Sequence, residues 1–389
     1  MTRFKRAERI RELPPYLFAE IDRLRKQVAE QGVDLIDFGI GDPDLPTPPG
    51  IVSRAAQAVS RPGHHRYPSY EGMLEFRQAA AAWMERRFGV DIDPQTEVIS
   101  LIGSKEGLAH LPLAYINPGD LSLVPSPSYP VYSTATLFAG GESFFLPLLK
   151  ENQFLPDLSV VPEEVRKRAK LLFINYPNNP TTGVADGRFF ERVVDFARSN
   201  DLIVCHDAAY CEVYYDGKKP PSFLQVPGAK DVGVEFHSLS KTFNMTGWRI
   251  GFVCGNAEVV EALGKVKTNI DSGVFQAIQE VAAYALANED DSAQRMRQVY
   301  QQRRDILQQG IKQAGLEMET PSATFYLWVS IPPGSSSAEF ATHLLEKTGI
   351  VATPGNGFGQ AGEGYIRLSL TVTTERVKEA AERISRLSF

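Results

Sequence analysis

His237-Ser238-Leu239-Ser240-Lys241-Thr242-Phe243-Asn244-Met245-Thr246-Gly247-Trp248-Arg249-Ile250-Gly251 is the stretch on which the fold and the chemistry of this chain both turn. Apolar, β-branched runs at 234–237 and 250–254 bracket a turn that holds two serines, a lysine and, further on, an arginine. A lysine in a partly apolar pocket can lose its proton and form a Schiff base. The hydroxyls of Ser238 and Ser240, with Arg249, suit a phosphate dianion, which needs charge and several donors at once. A bare Ser-x-Ser-Lys is more often a surface turn, and the continuation Gly247-Trp248-Arg249-Ile250-Gly251 argues against that here.

Working outward, short apolar runs alternate with amphipathic helical stretches, the pattern of a mainly parallel sheet wrapped by helices. The runs predict strands over 98–102, 171–175, 202–205, 234–237 and 250–254, and helices over 71–88, 105–116, 188–199 and 257–267. A long helix starts at Asp290, Asp291 and Ser292 and stops at Lys312 and Gly315; Met296, Val299, Tyr300, Leu307 and Ile311 form its apolar stripe. Such a helix can bridge two domains. The expectation is a large α/β domain over 50–286 and a smaller α+β domain built from 287–389 together with the N-terminal segment 1–49.

Upstream of the lysine, Leu202-Ile203-Val204-Cys205-His206-Asp207 puts a carboxylate at the end of an apolar strand, where open α/β sheets bind ligands. A carboxylate there can keep a pyridine nitrogen protonated, and Tyr210 can donate to a phenolic oxygen. An aspartate capping the next helix is an equally common reading of one Asp alone. Asn179, in Asn178-Asn179-Pro180-Thr181-Thr182-Gly183, can present its amide to the same oxygen. Gly103-Ser104-Lys105 joins a strand to a helix start, a geometry that aims free N–H groups at an anion, although short Gly-Ser caps are frequent.

Bulk properties narrow the class. The 389 residues exceed one ordinary core, and the 43% apolar and 23% charged shares are those of a folded, water-soluble protein. A net charge of −6 without long like-sign runs argues against nucleic acid or an anionic membrane as partner. No apolar stretch has the length of a membrane span, and residues 1–12 lack a signal-peptide core, so the cytoplasm is the expected compartment. Cys205, Cys211 and Cys254 have neither metal-ligand nor disulfide spacing.

In chain order the motifs run Gly41-Asp42-Pro43, Tyr67-Pro68-Ser69-Tyr70-Glu71-Gly72, Gly103-Ser104-Lys105, Pro125-Ser126-Pro127-Ser128-Tyr129-Pro130, Asn178-Asn179-Pro180, Asp207-Ala208-Ala209-Tyr210, Ser238-Leu239-Ser240-Lys241 and Arg367-Leu368-Ser369. The set resembles the class I/II, fold-type I pyridoxal 5′-phosphate (PLP)-dependent aminotransferases over nearly the whole chain. That resemblance implies an α/β fold-type I transferase acting on small amino acids and 2-oxo acids. It implies that Lys241 links covalently to PLP and shuttles a proton, that Asp207 pairs with the pyridine nitrogen, and that Tyr210 and Asn179 hold the phenolic oxygen. Tyr129 would stack on the ring, and Ser104, Lys105, Ser238, Ser240 and Arg249 would surround the phosphate. Tyr67 would reach the phosphate of the other subunit, which implies a homodimer with shared sites. Arg367, helped by the backbone at Gly41, would clamp the substrate α-carboxylate. Where many relatives read Asn-Pro-Thr-Gly, Thr182 takes the place of the glycine.

Residues 13–21 and 267–276 resemble the LL-diaminopimelate aminotransferases, which implies tetrahydrodipicolinate and glutamate as substrates and a place in lysine biosynthesis. Tyr16, Lys267 and Asn269 are the candidates for the substrate's distal end, against helix capping for Lys267 and Asn269 and core packing for Tyr16. Dicarboxylate-specific relatives carry an arginine where this chain reads Asn269-Ile270-Asp271. The alternatives left open are an aspartate, alanine or aromatic aminotransferase and a PLP-dependent C–S β-lyase. An effector-sensing regulator would need a DNA-binding module, for which no basic recognition helix is present. Gly39-Ile40-Gly41 lacks the third glycine of a dinucleotide fingerprint, position 44 being Asp44.

Overall fold

The computed structural model describes residues 4–13, 25, 26, 28, 30 and 32–387. Its strands are β1 (Ile36–Asp37), β2 (Val98–Leu101), β3 (Leu121–Ser126), β4 (Glu142–Pro147), β5 (Ala169–Asn175), β6 (Ile203–Asp207), β7 (Gly233–Ser238), β8 (Gly251–Gly255), β9 (Tyr326–Ser330), β10 (Ile350–Val351), β11 (Thr353–Pro354) and β12 (Tyr365–Ser369). Among the described residues, seven of these pair in the order β2-β8-β7-β6-β5-β3-β4. β8 runs antiparallel to both neighbours and the remaining pairings within β7, β6, β5, β3 and β4 are parallel. Six strands therefore point one way, and their carboxyl ends share one edge of the sheet with the amino end of β8. In open α/β sheets that edge binds ligands.

Alternation along each strand builds two cores, because successive side chains point to opposite faces. One face carries Ile99, Leu101, Val124, Phe173, Val234 and Phe236 against Leu108 and Leu111 of the helix Ser104–Tyr115 and Leu263 of the helix Ala257–Ile270. The other carries Val98, Leu123, Leu172, Ile174 and Phe252 against the helices Leu74–Phe88, Gly187–Ser199 and Gln276–Asn288. The Gly187–Ser199 helix starts where the Asp186 carboxylate accepts the Phe189 N–H at 2.8 Å, and it buries Phe189, Phe190, Val193, Val194 and Ala197. Truncating one of its phenylalanines to alanine should cost about 3–5 kcal/mol, lost transfer energy and cavity together.

A separate core joins the chain's two ends. Ile36 and Phe38 pack with Met296, Tyr300, Leu307, Ile311, Leu327, Ile366, Leu368 and Val377. β1 lies parallel on β10, Ile36 opposite Ile350, and β12 pairs antiparallel with β9 and β11. The long helix spans Asp290–Gln313; Met296, Tyr300, Leu307 and Ile311 are buried and Val299 is half-buried. Mid-stripe, Arg303 and Arg304 are buried as well, ion-paired with Asp44 and Asp216. No helix among the described residues is long and apolar enough to cross a membrane.

The predicted strands and helices lie on observed ones with ends displaced by a few residues. The helix expected from residue 71 starts at Leu74, because Glu71 and Gly72 form a turn in which Gly72 has φ +95° and the Glu71 carbonyl accepts the Ser100 N–H at 2.9 Å.

Candidate active site

The shared sheet edge gathers its polar groups from the ends of strands. β7 ends at Ser238 and runs into the short helix Leu239–Thr242, which carries Lys241. Lys241 Nζ donates to the Gly41 carbonyl at 3.3 Å and lies 5.6 Å from the Phe325 ring centroid. Burial lowers its pKa to about 8, with Asp42 and Asp207 pulling upward and Arg249 and Arg367 downward. Near neutral pH a usable share of this amine is therefore unprotonated and nucleophilic.

Asp207 closes β6 and is buried. Its Oδ2 accepts the Tyr132 hydroxyl at 2.8 Å and its Oδ1 accepts the Ala209 N–H at 3.2 Å. Burial raises the pKa of this carboxyl, and those two hydrogen bonds, with the charges of His206 and His237, work against the rise. The Asn175 amide donates to the Asp207 carbonyl at 2.7 Å, which fixes the backbone at the strand end. Behind Asp207, on the opposite face of the sheet, Glu235 lies 2.8 Å from His206 and 2.8 Å from His237.

Three N–H-bearing elements converge beside these groups. Gly103 takes φ +75°, and a Cβ on it would fall 2.2 Å from Arg249 Nη2, so the turn admits only glycine. Ser104 opens the helix Ser104–Tyr115 and leaves its first amides free. Arg249 is itself left-handed at φ +55°; it donates to the Thr246 carbonyl at 2.8 Å and the Ile102 carbonyl at 3.2 Å. Ser238 and Ser240 are buried in the adjoining turn, and Lys105 is exposed with its ammonium 5.7 Å from the Tyr129 ring centroid.

The other wall comes from the chain-end core. Arg367 of β12 is buried, its guanidinium between the Tyr326 ring at 4.3 Å and the Phe358 ring at 4.6 Å. It donates to Asn179 Oδ1 at 2.9 Å and to the Gly39 carbonyl at 2.8 Å, while its Nε has no partner. Three of the five guanidinium N–H groups thus remain for a ligand, enough for a two-pronged grip on a carboxylate. Tyr210 is buried with its hydroxyl 2.9 Å from that of Tyr326. A Cβ on Gly41 would meet the Tyr326 hydroxyl at 2.1 Å, which restricts that position to glycine.

Lys241, Tyr210, Asn179, Arg367 and Gly41 are thus connected by direct contacts or through Tyr326, Asp207 joins them through Asn175, whose Oδ1 accepts the Asn179 N–H at 2.9 Å, and Ser104, Ser238, Ser240 and Arg249 line the adjoining turn. Tyr67 is 88% exposed in the single chain. Tyr16 lies outside the described residues. Lys267 is buried in ion pairs with Glu106 and Asp271, and Asn269 donates to the Lys265 carbonyl at its own helix end. Thr182, in the place of a glycine, has φ +64°, a left-handed conformation costly for a β-branched residue; bonds from Thr182 N–H to the Asn178 carbonyl and from Asn178 N–H to Gly183 hold the turn.

Sequence reading missed Tyr132 and Tyr326. Tyr132 follows Tyr129 by three residues, which is the available signal. Tyr326, the first residue of β9, looks like any aromatic at a strand start.

The residues present fit PLP. A phosphate matches the Ser104, Ser238, Ser240 and Arg249 donors around the Gly103 cradle. A pyridine nitrogen matches the buried Asp207 carboxyl, an aldehyde matches the Lys241 amine, and the unpartnered Arg367 Nε awaits an anionic acceptor.

The chain matches the family model described as aminotransferase class I and II over residues 33–384. It is 58% identical to an LL-diaminopimelate aminotransferase of Syntrophobacter fumaroxidans, covering 99% of this chain and 100% of the relative. It is 57% identical to the LL-diaminopimelate aminotransferase of Moorella thermoacetica, covering 98% of each. Among solved structures it superposes on apo-BacF from Bacillus subtilis with a TM-score of 0.94 at 37% identity, covering 99% of both chains.

Proposed function

Because the chain belongs to the class I and II aminotransferases, we propose that its amino acid is LL-2,6-diaminopimelate, formed from tetrahydrodipicolinate with glutamate as amino donor. As a member of that family it is a PLP-dependent transaminase. The observation that carries the specificity is the group of curated relatives, 54–58% identical over 97% or more of this chain, named LL-diaminopimelate aminotransferases.

When bound, PLP supplies an aldehyde that captures amino groups and a ring that accepts the electrons left when a Cα proton departs. Lys241 would hold the cofactor and, as free amine, take the Cα proton at Nζ and return it. Asp207 would pair with the ring nitrogen, its charged form favoured by the hydrogen bonds from Tyr132 and the Ala209 N–H. Tyr210 and Asn179 would hold the phenolic oxygen, Tyr129 would cover the ring, and the Gly103 turn with Ser104, Lys105, Ser238, Ser240 and Arg249 would take the phosphate. Arg367 would bind the α-carboxylate with its remaining N–H groups, beside Gly41. Tyr326 touches both Tyr210 and Arg367, its hydroxyl on that of Tyr210 and its ring on the Arg367 guanidinium. Tyr16 remains the candidate contact for the substrate's distal end.

The same reading makes the protein a cytoplasmic homodimer. Tyr67, Tyr70, Ile270 and Phe275 are exposed in the single chain, as aromatic and aliphatic groups destined for a second copy would be. The three cysteines are free and buried, in keeping with a reducing compartment. The division at 50–286 would set the two sheet cores on one side of the substrate and the chain-end core on the other.

Two measurements test the proposal. A Lys241→Ala variant should give no borohydride-trapped PLP peptide and lose nearly all turnover; wild-type activity in it ends the assignment. A donor panel with 2-oxoglutarate should favour LL-diaminopimelate over aspartate, alanine and phenylalanine. Vigorous use of aspartate with none of the first would replace the substrate.

A further inference from the structure

Glu106, His110 and Asp271 bring three ligand-type atoms within 4.8 Å of one another, a grouping that suggests a metal. The cation it is built around is the protein's own. Lys267 Nζ lies 2.9 Å from Glu106 Oε2 and 3.1 Å from Asp271 Oδ2, and the lysine side chain is 1% exposed. His110 Nδ1 stands 2.7 Å from Glu106 Oε1. Burial opposes the Glu106 carboxylate, and the hydrogen bonds from His110 and Lys267, with the lysine charge, outweigh it and hold the carboxyl below its ordinary range.

The same carboxylate reaches the phosphate cradle. Glu106 Oε2 accepts the Ile102 N–H at 3.0 Å, and the Ile102 carbonyl accepts Arg249 Nη2 at 3.2 Å. The backbone of Ile102 is thus held at both its N–H and its carbonyl, and the next residue is the left-handed Gly103 that packs on Arg249. Ser104 follows at the start of the helix. An acidic residue in this first turn favours the helix but would repel a phosphate if its charge were unbalanced.

We propose that Glu106, charge-balanced by Lys267, is a positioning residue for the cofactor phosphate: it sets the Ile102–Gly103 turn so that Arg249 and the helix amides meet a phosphate monoester. This rests on the PLP aminotransferase reading of the site. Glu106→Ala frees the Ile102 N–H and lets the turn relax. Lys267→Met leaves a buried carboxylate without its counter-charge. In the double variant Lys267→Met/Glu106→Gln a neutral amide oxygen can accept the Ile102 N–H and needs no cation.

The test compares PLP with pyridoxal, which lacks the phosphate, as ligands of the full-length chain freed of cofactor. Dissociation constants are read from cofactor absorbance and tryptophan fluorescence. Glu106→Ala and Lys267→Met should each lower the preference for PLP over pyridoxal by at least about tenfold, the scale of a lost charged hydrogen bond. Pyridoxal affinity should stay near wild type, and the double variant should regain the preference. A preference left intact in Glu106→Ala, or both affinities falling in parallel, overturns the proposal; if Lys267→Met fails to fold, Glu106→Ala decides alone. A wild type that does not trap PLP at Lys241 would instead remove the aminotransferase reading itself.

Discussion

Replacing Tyr132 by phenylalanine isolates what one hydroxyl does for Asp207. The Tyr132 ring stacks on Phe173 with centroids 5.1 Å apart and planes at 16°, a contact that phenylalanine keeps. What is lost is the 2.8 Å bond to Asp207 Oδ2, which leaves the carboxylate with the longer, 3.2 Å bond from Ala209. A buried hydrogen bond to a charged acceptor is worth about 1.5–3 kcal/mol. Asp207 should therefore titrate higher in the variant. Catalysis needs this carboxyl ionised, so the acid limb of kcat/KM against pH should move upward, with activity recovering at higher pH. In the cofactor-free chain the sign for stability is opposite to the usual aspartate. A carboxyl whose folded pKa is raised favours folding below its unfolded pKa and loses that contribution as pH rises through the folded value. Melting temperatures of the variant should therefore fall more steeply than those of the wild type from mildly acidic to neutral pH. An acid limb that stays in place, in a variant that still folds, would refute the claim that Tyr132 sets the ionisation of Asp207.

Other consequences follow from the same geometry. The rate at which the cofactor-free chain captures PLP should climb as pH rises through about 8, where burial places Lys241; a stopped-flow rate flat across that value would contradict it. Arg367→Lys keeps a charge but loses the planar fork, so KM for amino acid and 2-oxo acid alike should rise about tenfold or more while PLP affinity is unchanged. Equal loss of PLP binding would show a structural defect instead. Asp44→Asn leaves the buried Arg303 guanidinium without its carboxylate, whose side chain is 21% exposed. Urea melts should show a loss of about 2–3 kcal/mol, below the 3–5 of a fully buried pair because water reaches Asp44.

Residues whose chemistry is announced by a strand end were legible in the sequence. Apolar runs stop at Asp207 and Ser238, and a polar residue at such a stop has nowhere to go but the sheet edge. β3 and β4 were harder. Ser122, Pro125 and Ser126 interrupt the apolar run of β3, and β4 is an edge strand with an exposed Phe145, so neither has the pattern of a buried strand. Tyr132 and Tyr326 were hidden because their partners lie 75 and 116 residues away, and an aromatic ring gives the same signal whether or not its hydroxyl has a task. Arg303 and Arg304 broke the apolar stripe of the long helix, since a buried arginine becomes intelligible only once Asp44 and Asp216 are in place. Lys267 reads as a substrate contact for the same reason: its partner Glu106 lies 161 residues away, and nothing in the sequence pairs the two.

Burial acts on the two central groups in opposite directions. It raises the pKa of the Asp207 carboxyl and lowers that of the Lys241 amine, so each leans toward its neutral form. A ligand that offers a protonated ring nitrogen to Asp207 and an aldehyde to Lys241 satisfies both leanings at once. The carboxylate gains the positive partner that burial denied it, and the amine reacts in the form that burial favours. Arg249 and Arg367 lower the lysine pKa further, so the cations placed to receive phosphate and carboxylate also ready the nucleophile. Anion binding and lysine reactivity are therefore coupled here: removing the charge of Arg249 or Arg367 should raise the Lys241 pKa as well as weaken the anion it faces.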